Sequence, residues 1–223
     1  MTGKIIIFDF DGTLADTYEA IVKIANQLAD EFGYKSVDKE ELLQLKNLSS
    51  QEIVKQSKIS LFKIPFLLRR VHLELGKDIN KLKPITGISS ALYELESQGY
   101  YLGIVTSNSK NNVVDFLFNH KLENLFDFIY PKITIFGKHR AINTVIKQYE
   151  VSKEEAIYVG DETRDIRSAR KSGIPVIAVS WGFNSAAILA EHQPDFLIEQ
   201  PTELIEAIAS WNNSWQKQLQ SKS

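Results

Sequence analysis

Short apolar runs recur along the chain, each followed by a stretch whose apolar residues return every three or four positions. The runs at 4–8, 101–106, 128–130 (reaching towards Ile135), 156–160 and 175–180 are rich in Ile, Val and Tyr. Near-continuous apolar runs of that length mark strands buried on both faces of a parallel sheet. Residues 195–198 add an edge strand. The helical period between them predicts helices over 88–98, 111–119, 140–149, 164–172, 185–191 and 202–215. Gly173 falls where a helix C-terminus favours a left-handed residue, and Pro175 follows it. Strict alternation of strand and helix predicts an α/β fold, a doubly wound parallel sheet with right-handed crossovers.

One segment breaks the alternation. Between Tyr18 and Lys83 no strand pattern occurs, whereas Ala20, Ile21, Ile24, Ala25, Leu28, Ala29 and Phe32 lie on one helical face. Shorter helical patterns follow at 39–45, 51–56 and 64–75, where Pro65 fits a first turn. Pro84 and Gly87 mark the exit as a hinge. The expected organisation is an α/β core of residues 1–16 and 84–223, with a small all-helical cap domain at 17–83. The polar tail at 211–223 is expected to fray.

Composition removes several classes of function. The 223 residues carry a formal net charge of -2, so nothing points to a nucleic-acid partner. The absence of cysteine excludes a disulfide scaffold, a thiolate zinc site and a cysteine nucleophile. Apolar runs such as residues 5–8 are too short to span a membrane. The first strand begins at once, leaving no room for a signal peptide, which predicts a cytoplasmic location.

In an open α/β sheet, ligands bind beyond the carboxyl ends of the strands. The first strand runs KIIIF into DFDGTLADT, placing Asp9 and Asp11 two residues apart and then Thr13. The second ends VTSNS, with Ser107 and Asn108 at its tip. FGKHR follows the third and starts a helix with Lys138. The fourth ends VGDETRD, with Asp161, Glu162 and Asp165. Carboxylates, hydroxyls and one ammonium thus meet on one rim from four strand ends.

Phosphoryl transfer is the chemistry that needs this set. A carboxylate can attack phosphorus and carry an aspartyl phosphate. Two anions then approach each other, and oxygen ligands near Asp9 and Asp161 suit Mg²⁺. Lys138 can hold a phosphate oxygen, and donors at Thr13, Ser107 and Asn108 suit the others. Each residue also has a plainer reading. Asp-Gly forms turns, Ser107 and Asn108 cap a helix, Lys138 is solvated, and Asp161 with Glu162 complements a helix dipole. It is their joint placement at successive strand ends that favours a site.

The whole chain resembles the haloacid dehalogenase superfamily, in the subclass with a cap inserted after the first motif. DFDGTLADT is similar to the first motif, Ser107 to the second, Lys138 to the third and GDETRD to the fourth. The resemblance implies Asp9 as nucleophile and Asp11 as general acid and base. It implies Mg²⁺ on the Asp9 and Asp161 carboxylates and the Asp11 backbone carbonyl, with Asp165 and Glu162 around them. Dehalogenases of the superfamily lack the second aspartate, so Asp11 implies phosphate chemistry. VGDETRDIRSARKSGI is most similar to phosphoglycolate phosphatase relatives, which makes phosphoglycolate the leading substrate among small phosphorylated metabolites. A phosphomutase or another phosphoryl transferase using the same aspartyl phosphate, and a regulatory binding protein with a vestigial site, are the alternatives. In the cap, Lys46, Arg69, Arg70 and His72 are cations placed either to meet an anionic substrate or to solvate a helix face.

Overall fold

A computed structural model describes residues 4–131 and 137–220, with side chains through Asn213. Among the described residues six strands form one parallel sheet. They are β1 (Ile5–Phe8), β2 (Tyr101–Val105), β3 (Phe128–Tyr130), β4 (Ala156–Gly160), β5 (Val176–Val179) and β6 (Phe196–Ile198), ordered β3-β2-β1-β4-β5-β6. Every pairing is parallel, with Ile5 opposite Tyr101 on one side and Ala156 on the other. The proposed extension of β3 towards Ile135 lies outside the described residues.

β1 sits inside the sheet because its side chains are apolar on both faces. Ile6 and Phe8 enter one core with Leu92, Phe116 and Ile208, while Ile5 and Ile7 enter the other with Ile142, Val145 and Ile166. All four are fully buried, and burying each side chain contributes about 1.5–3 kcal/mol. The chain winds from β1 through β2 to β3 on one side, then returns to β4 on the other. The switch point therefore falls between the carboxyl ends of β1 and β4, the place where open α/β sheets bind their ligands.

The segment without strands folds as α1 (Tyr18–Phe32), α2 (Lys39–Leu45), α3 (Ser50–Ser57) and α4 (Ile64–Lys77). Leu28, Phe32, Ile59, Ile64 and Val71 form its own small core. α1 stops at Gly33, whose φ of 76° gives the left-handed cap. Asp38 and Ser49 start α2 and α3 with capping boxes. The two connections to the sheet run side by side: Ile85 N–H donates to the Leu14 carbonyl and Asp16 N–H to that of Lys83, both at 2.9 Å.

The remaining helices are α5 (Ile88–Ser97), α6 (Lys110–Asn119), α7 (Lys138–Gln148), α8 (Thr163–Ser172), α9 (Ala186–Glu191) and α10 (Leu204–Gln220). α10 does not end near Trp215 as the polarity of the tail led us to expect. Trp211 is buried in the core cluster and anchors the helix, whose backbone continues to Gln220.

Candidate active site

The first strand gives way to a tight loop at Asp9. Asp9 N–H still pairs with the Val159 carbonyl at 2.9 Å, so the ladder holds the backbone of the residue that carries the carboxylate. Gly12 follows with φ of 76°, and a Cβ there would collide with the Asp161 carboxylate and the Phe183 ring. Gly182 meets Asp161 equally closely. Only glycine lets the loops after β1, β4 and β5 converge in this way.

Asp9, Asp161 and Asp165 are buried, each offering an oxygen within 4.8 Å of the others. Lys138, the first residue of α7, is 1% exposed and not solvated. Its ammonium pairs with Asp9 Oδ2 and, at 2.5 Å, with Asp165 Oδ1. Phe10 N–H donates to Asp9 Oδ1 at 2.7 Å. Asp165 Oδ2 also accepts from Glu162 N–H at 3.1 Å, which fixes the first turn of α8. Asp161 accepts from the Thr13 hydroxyl and from Phe183 N–H, both at 2.7 Å. The Thr13 hydroxyl is therefore engaged by a carboxylate.

Asp11 is held differently. The Asn108 amide lies 3.0 Å from both of its carboxyl oxygens. Asn108 is in turn set by Asn112, which donates to Asn108 Oδ1 at 2.9 Å and to the His72 carbonyl at 2.8 Å. The N-cap of α6 is Ser109, accepting from Asn112 N–H at 3.2 Å, so neither Ser107 nor Asn108 does the capping. Ser107 is half-buried at the strand tip.

Burial dominates the electrostatics. It lifts the Asp9 carboxyl to about 6 against the opposing pull of Lys138, with Asp165 adding to the rise. Burial and the neighbouring Asp9 lift Asp11 to about 7, tempered by Asn108 and Thr17. Burial, Glu162 and Asp9 push Asp161 well up. Burial would lower the Lys138 ammonium, but Asp165 and Asp9 outweigh it and raise it. The set is oxygen-only and carries more anionic than cationic groups, which fits a hard divalent cation.

A stability prediction follows. Carboxyls raised above their unfolded values stabilise the fold fully below the unfolded range, and that contribution is lost as pH rises through about 6 and 7. His72, pushed down to about 4 by burial and by the Arg164 charge, acts in the opposite sense only below its unfolded value of 6.5. Three carboxyls outweigh one imidazole. In chelator the melting temperature should fall by several degrees between pH 5.5 and 7.5, at about 2–4 °C per kcal/mol. Added Mg²⁺ should recover the loss at pH 7.5 and do little at 5.5. A melting temperature that rises over this interval would contradict the electrostatic picture.

The helical segment closes on this rim through residues 46–51. Asn184 N–H donates to the Asp161 carbonyl at 3.3 Å and its side-chain oxygen accepts from Thr163 N–H at 2.9 Å. Its amide donates to the carbonyls of Lys46 and Leu48 at 3.3 and 3.0 Å. Ser50 donates to Glu162 at 3.0 Å, and Arg167 to Gln51 at 2.8 Å. Of the segment's candidate cations, Lys46 donates to the Gly182 carbonyl at 3.1 Å and lies 4.2 Å from the Tyr18 ring centre. Arg70 instead pairs with Glu31 and Glu74 on the helical segment itself, and Arg69 is exposed. Sequence reasoning passed over Asn184 and Arg164. Arg164 stood inside the GDETRD motif, where the flanking carboxylates drew attention away from it. Nothing local in FNS marks Asn184, because its partners are distant in the chain.

Comparison with known proteins agrees with the fold. The model of the haloacid dehalogenase-like hydrolase family matches residues 6–179. The phosphoglycolate phosphatase of Synechococcus elongatus is 38% identical over 203 residues, covering 91% of this chain and 96% of that protein. A pyrophosphatase PpaX of Bacillus cereus is 26% identical over 217 residues, covering 94% and 98%. The solved structure of a haloacid dehalogenase-like family hydrolase from Streptococcus pneumoniae superposes with a TM-score of 0.75 at 27% identity, covering 93% of this chain and 100% of that one.

Proposed function

The chain belongs to the haloacid dehalogenase-like hydrolase family, and from that premise we propose that it is a Mg²⁺-dependent phosphatase of a small phosphorylated metabolite. Phosphoglycolate is the leading substrate, supported by the relative that shares 38% of its residues. The segment 17–83 serves as the cap over the site. The observation that carries the reading is the pair Asp9 and Asp11: two buried carboxyls, two residues apart, the first held by Lys138 and Phe10 N–H and the second by the Asn108 amide.

At pH 7 a carboxyl near 6 is mostly ionised and one near 7 is about half protonated. Asp9, braced by Lys138 and Phe10 N–H, attacks phosphorus. The bond from phosphorus to the ester oxygen breaks, and protonated Asp11 gives its proton to that leaving oxygen. The aspartyl phosphate on Asp9 is then attacked at phosphorus by water, whose proton Asp11 takes. Inorganic phosphate leaves and both carboxyls return to their starting states. Lys138 offsets charge on the transferring group, with Ser107 and Asn108 at the oxygens of the bound phosphoryl. A divalent cation held by the Asp9 and Asp161 carboxylates and the Asp11 carbonyl would supply the neutralising charge that lets two anions meet. Asp165 and Glu162 support Lys138 and the α8 terminus, and Asp165, with an oxygen within 4.8 Å of those of Asp9 and Asp161, would add its charge to the set that holds such a cation.

Neither a membrane nor a nucleic acid enters this reading. Among the described residues no helix is long and apolar enough to cross a membrane. The net charge of -2 gives no attraction for a polyanion, and a cytoplasmic setting fits a diffusible metabolite. Phosphate release should be measured across phosphorylated acids, sugars, nucleotides and pyrophosphate, with Mg²⁺ and again after exhaustive chelation. Release from at least one small monoester, lost on chelation and restored by Mg²⁺, is expected. Full activity after chelation, or no release from any compound, would overturn the proposal.

A further inference from the structure

Arg164 is the cation that the proposed mechanism leaves without a task. It lies on the first turn of α8, between the buried residues Thr163 and Asp165, with its side chain 15% exposed. Its Nε meets the Glu162 carboxylate as an ion contact, but the buried Nε–H finds no well-aligned hydrogen-bond acceptor. Among the described residues no hydrogen bond is made by Nη1 or Nη2 either. A guanidinium offers five donors in a planar fork that matches carboxylate and phosphate oxygens in pairs. Here one side is steadied by Glu162 and the remaining donors are available.

The location of that fork matters. Its charge acts on Asp9, Asp11 and Asp165 of the rim, and on His72 of α4 across the boundary with the helical segment. Glu162 is itself gripped by Ser50 of α3, and the His72 carbonyl by Asn112, the residue that sets Asn108 against Asp11. Arg164 therefore stands where the helical segment meets the carboxylates, within electrostatic reach of the atom that would attack phosphorus. Lys138 is already committed to Asp9 and Asp165. Lys46, Arg69 and Arg70 are engaged elsewhere or exposed.

We propose that Arg164 reads a second anionic group of the substrate, a carboxylate or a second phosphoryl, attached close to the phosphoryl that Asp9 receives. This rests on the phosphatase reading and makes it more specific. Phosphoglycolate and pyrophosphate both carry such a group, whereas ethyl phosphate matches phosphoglycolate in length and lacks it. If Arg164 instead only balances the charge of five neighbouring carboxylates, its loss affects all phosphate esters alike.

The test is kcat/KM for phosphoglycolate, pyrophosphate and ethyl phosphate in the wild type, Arg164→Gln and Arg164→Lys, each with Mg²⁺. Each result is expressed as a ratio to ethyl phosphate, so the folded fraction cancels. In Arg164→Gln the ratio for the substrate with the second anionic group should fall about ten- to a hundredfold, and Arg164→Lys should keep part of it. The ratio that falls identifies which second anion is read. Ratios unchanged in Arg164→Gln, or a wild type that prefers neither phosphoglycolate nor pyrophosphate to ethyl phosphate, overturn the inference and leave the phosphatase reading standing. A wild type that hydrolyses none of the three overturns both. Calorimetric binding of phosphonoacetate and methylphosphonate covers an inactive variant. The wild type should prefer phosphonoacetate about tenfold or more, again the scale of a charge-assisted hydrogen bond. Arg164→Gln should lose that preference, and its persistence would sink the proposal.

Discussion

Asp9→Asn is expected to lose at least about 10⁴-fold in kcat while keeping the fold, because an amide of nearly the same shape is a poor nucleophile. The structural cost should be small. The amide oxygen can still accept from Lys138, and Lys138 retains Asp165. The substitution also removes a carboxyl whose ionised form is penalised by burial, as its rise to about 6 shows. Circular dichroism and melting temperature should therefore stay close to wild type while phosphate release disappears with every substrate. Substantial turnover in pure Asp9→Asn protein would remove Asp9 from the role of nucleophile.

Lys138→Met should damage both stability and catalysis. The lysine is buried between two buried carboxylates, and deleting one partner of such a group leaves uncompensated charge behind. Losses of this kind run to about 3–5 kcal/mol. At pH 7.5 in chelator, denaturant unfolding should show a loss of that size. At pH 5 the loss should be smaller, since a carboxyl near 6 is then protonated and needs no partner. With Mg²⁺ and substrate, kcat should fall about 10²–10³-fold, the scale of removing one preorganised charge from the transferring group. A variant as stable as wild type at pH 7.5 would show that the triad Asp9, Lys138 and Asp165 does not hold the site together.

Much of this was legible in the sequence for a physical reason. Buried parallel strands read as unbroken Ile and Val runs, so β1, β2, β4 and β5 were found within a residue or two at either end. Reading each strand at its last residue then placed Asp9, Asp11, Asn108, Lys138 and Asp161 on one rim, and the structure brings them together. The order of strands was not legible, since nothing local tells β1 that β4 will be its neighbour. Nor could the sequence say which way the segment's cations point. Arg70 lies on the same helix as Val71 but turns to Glu31, a residue placed beside it only by the packing of α1 on α4. Asn184 escaped because its clasp exists only once two distant stretches have met, and Arg164 because its one ion contact, Glu162, lies beside it in a motif read for its carboxylates.

The central claim is that the phosphoryl group passes through Asp9. Asp11→Asn should slow the second step by removing the base, while p-nitrophenyl phosphate, whose leaving group needs little help from an acid, still drives the first. The measurement is mass spectrometry of peptides from that variant, quenched in acid during turnover of p-nitrophenyl phosphate with Mg²⁺. A phosphoryl group on the Asp9 side chain, absent in the double variant Asp9→Asn/Asp11→Asn, is the expected result. Nitrophenol release that continues in the double variant, or a phosphoryl group found on any other residue, would contradict it.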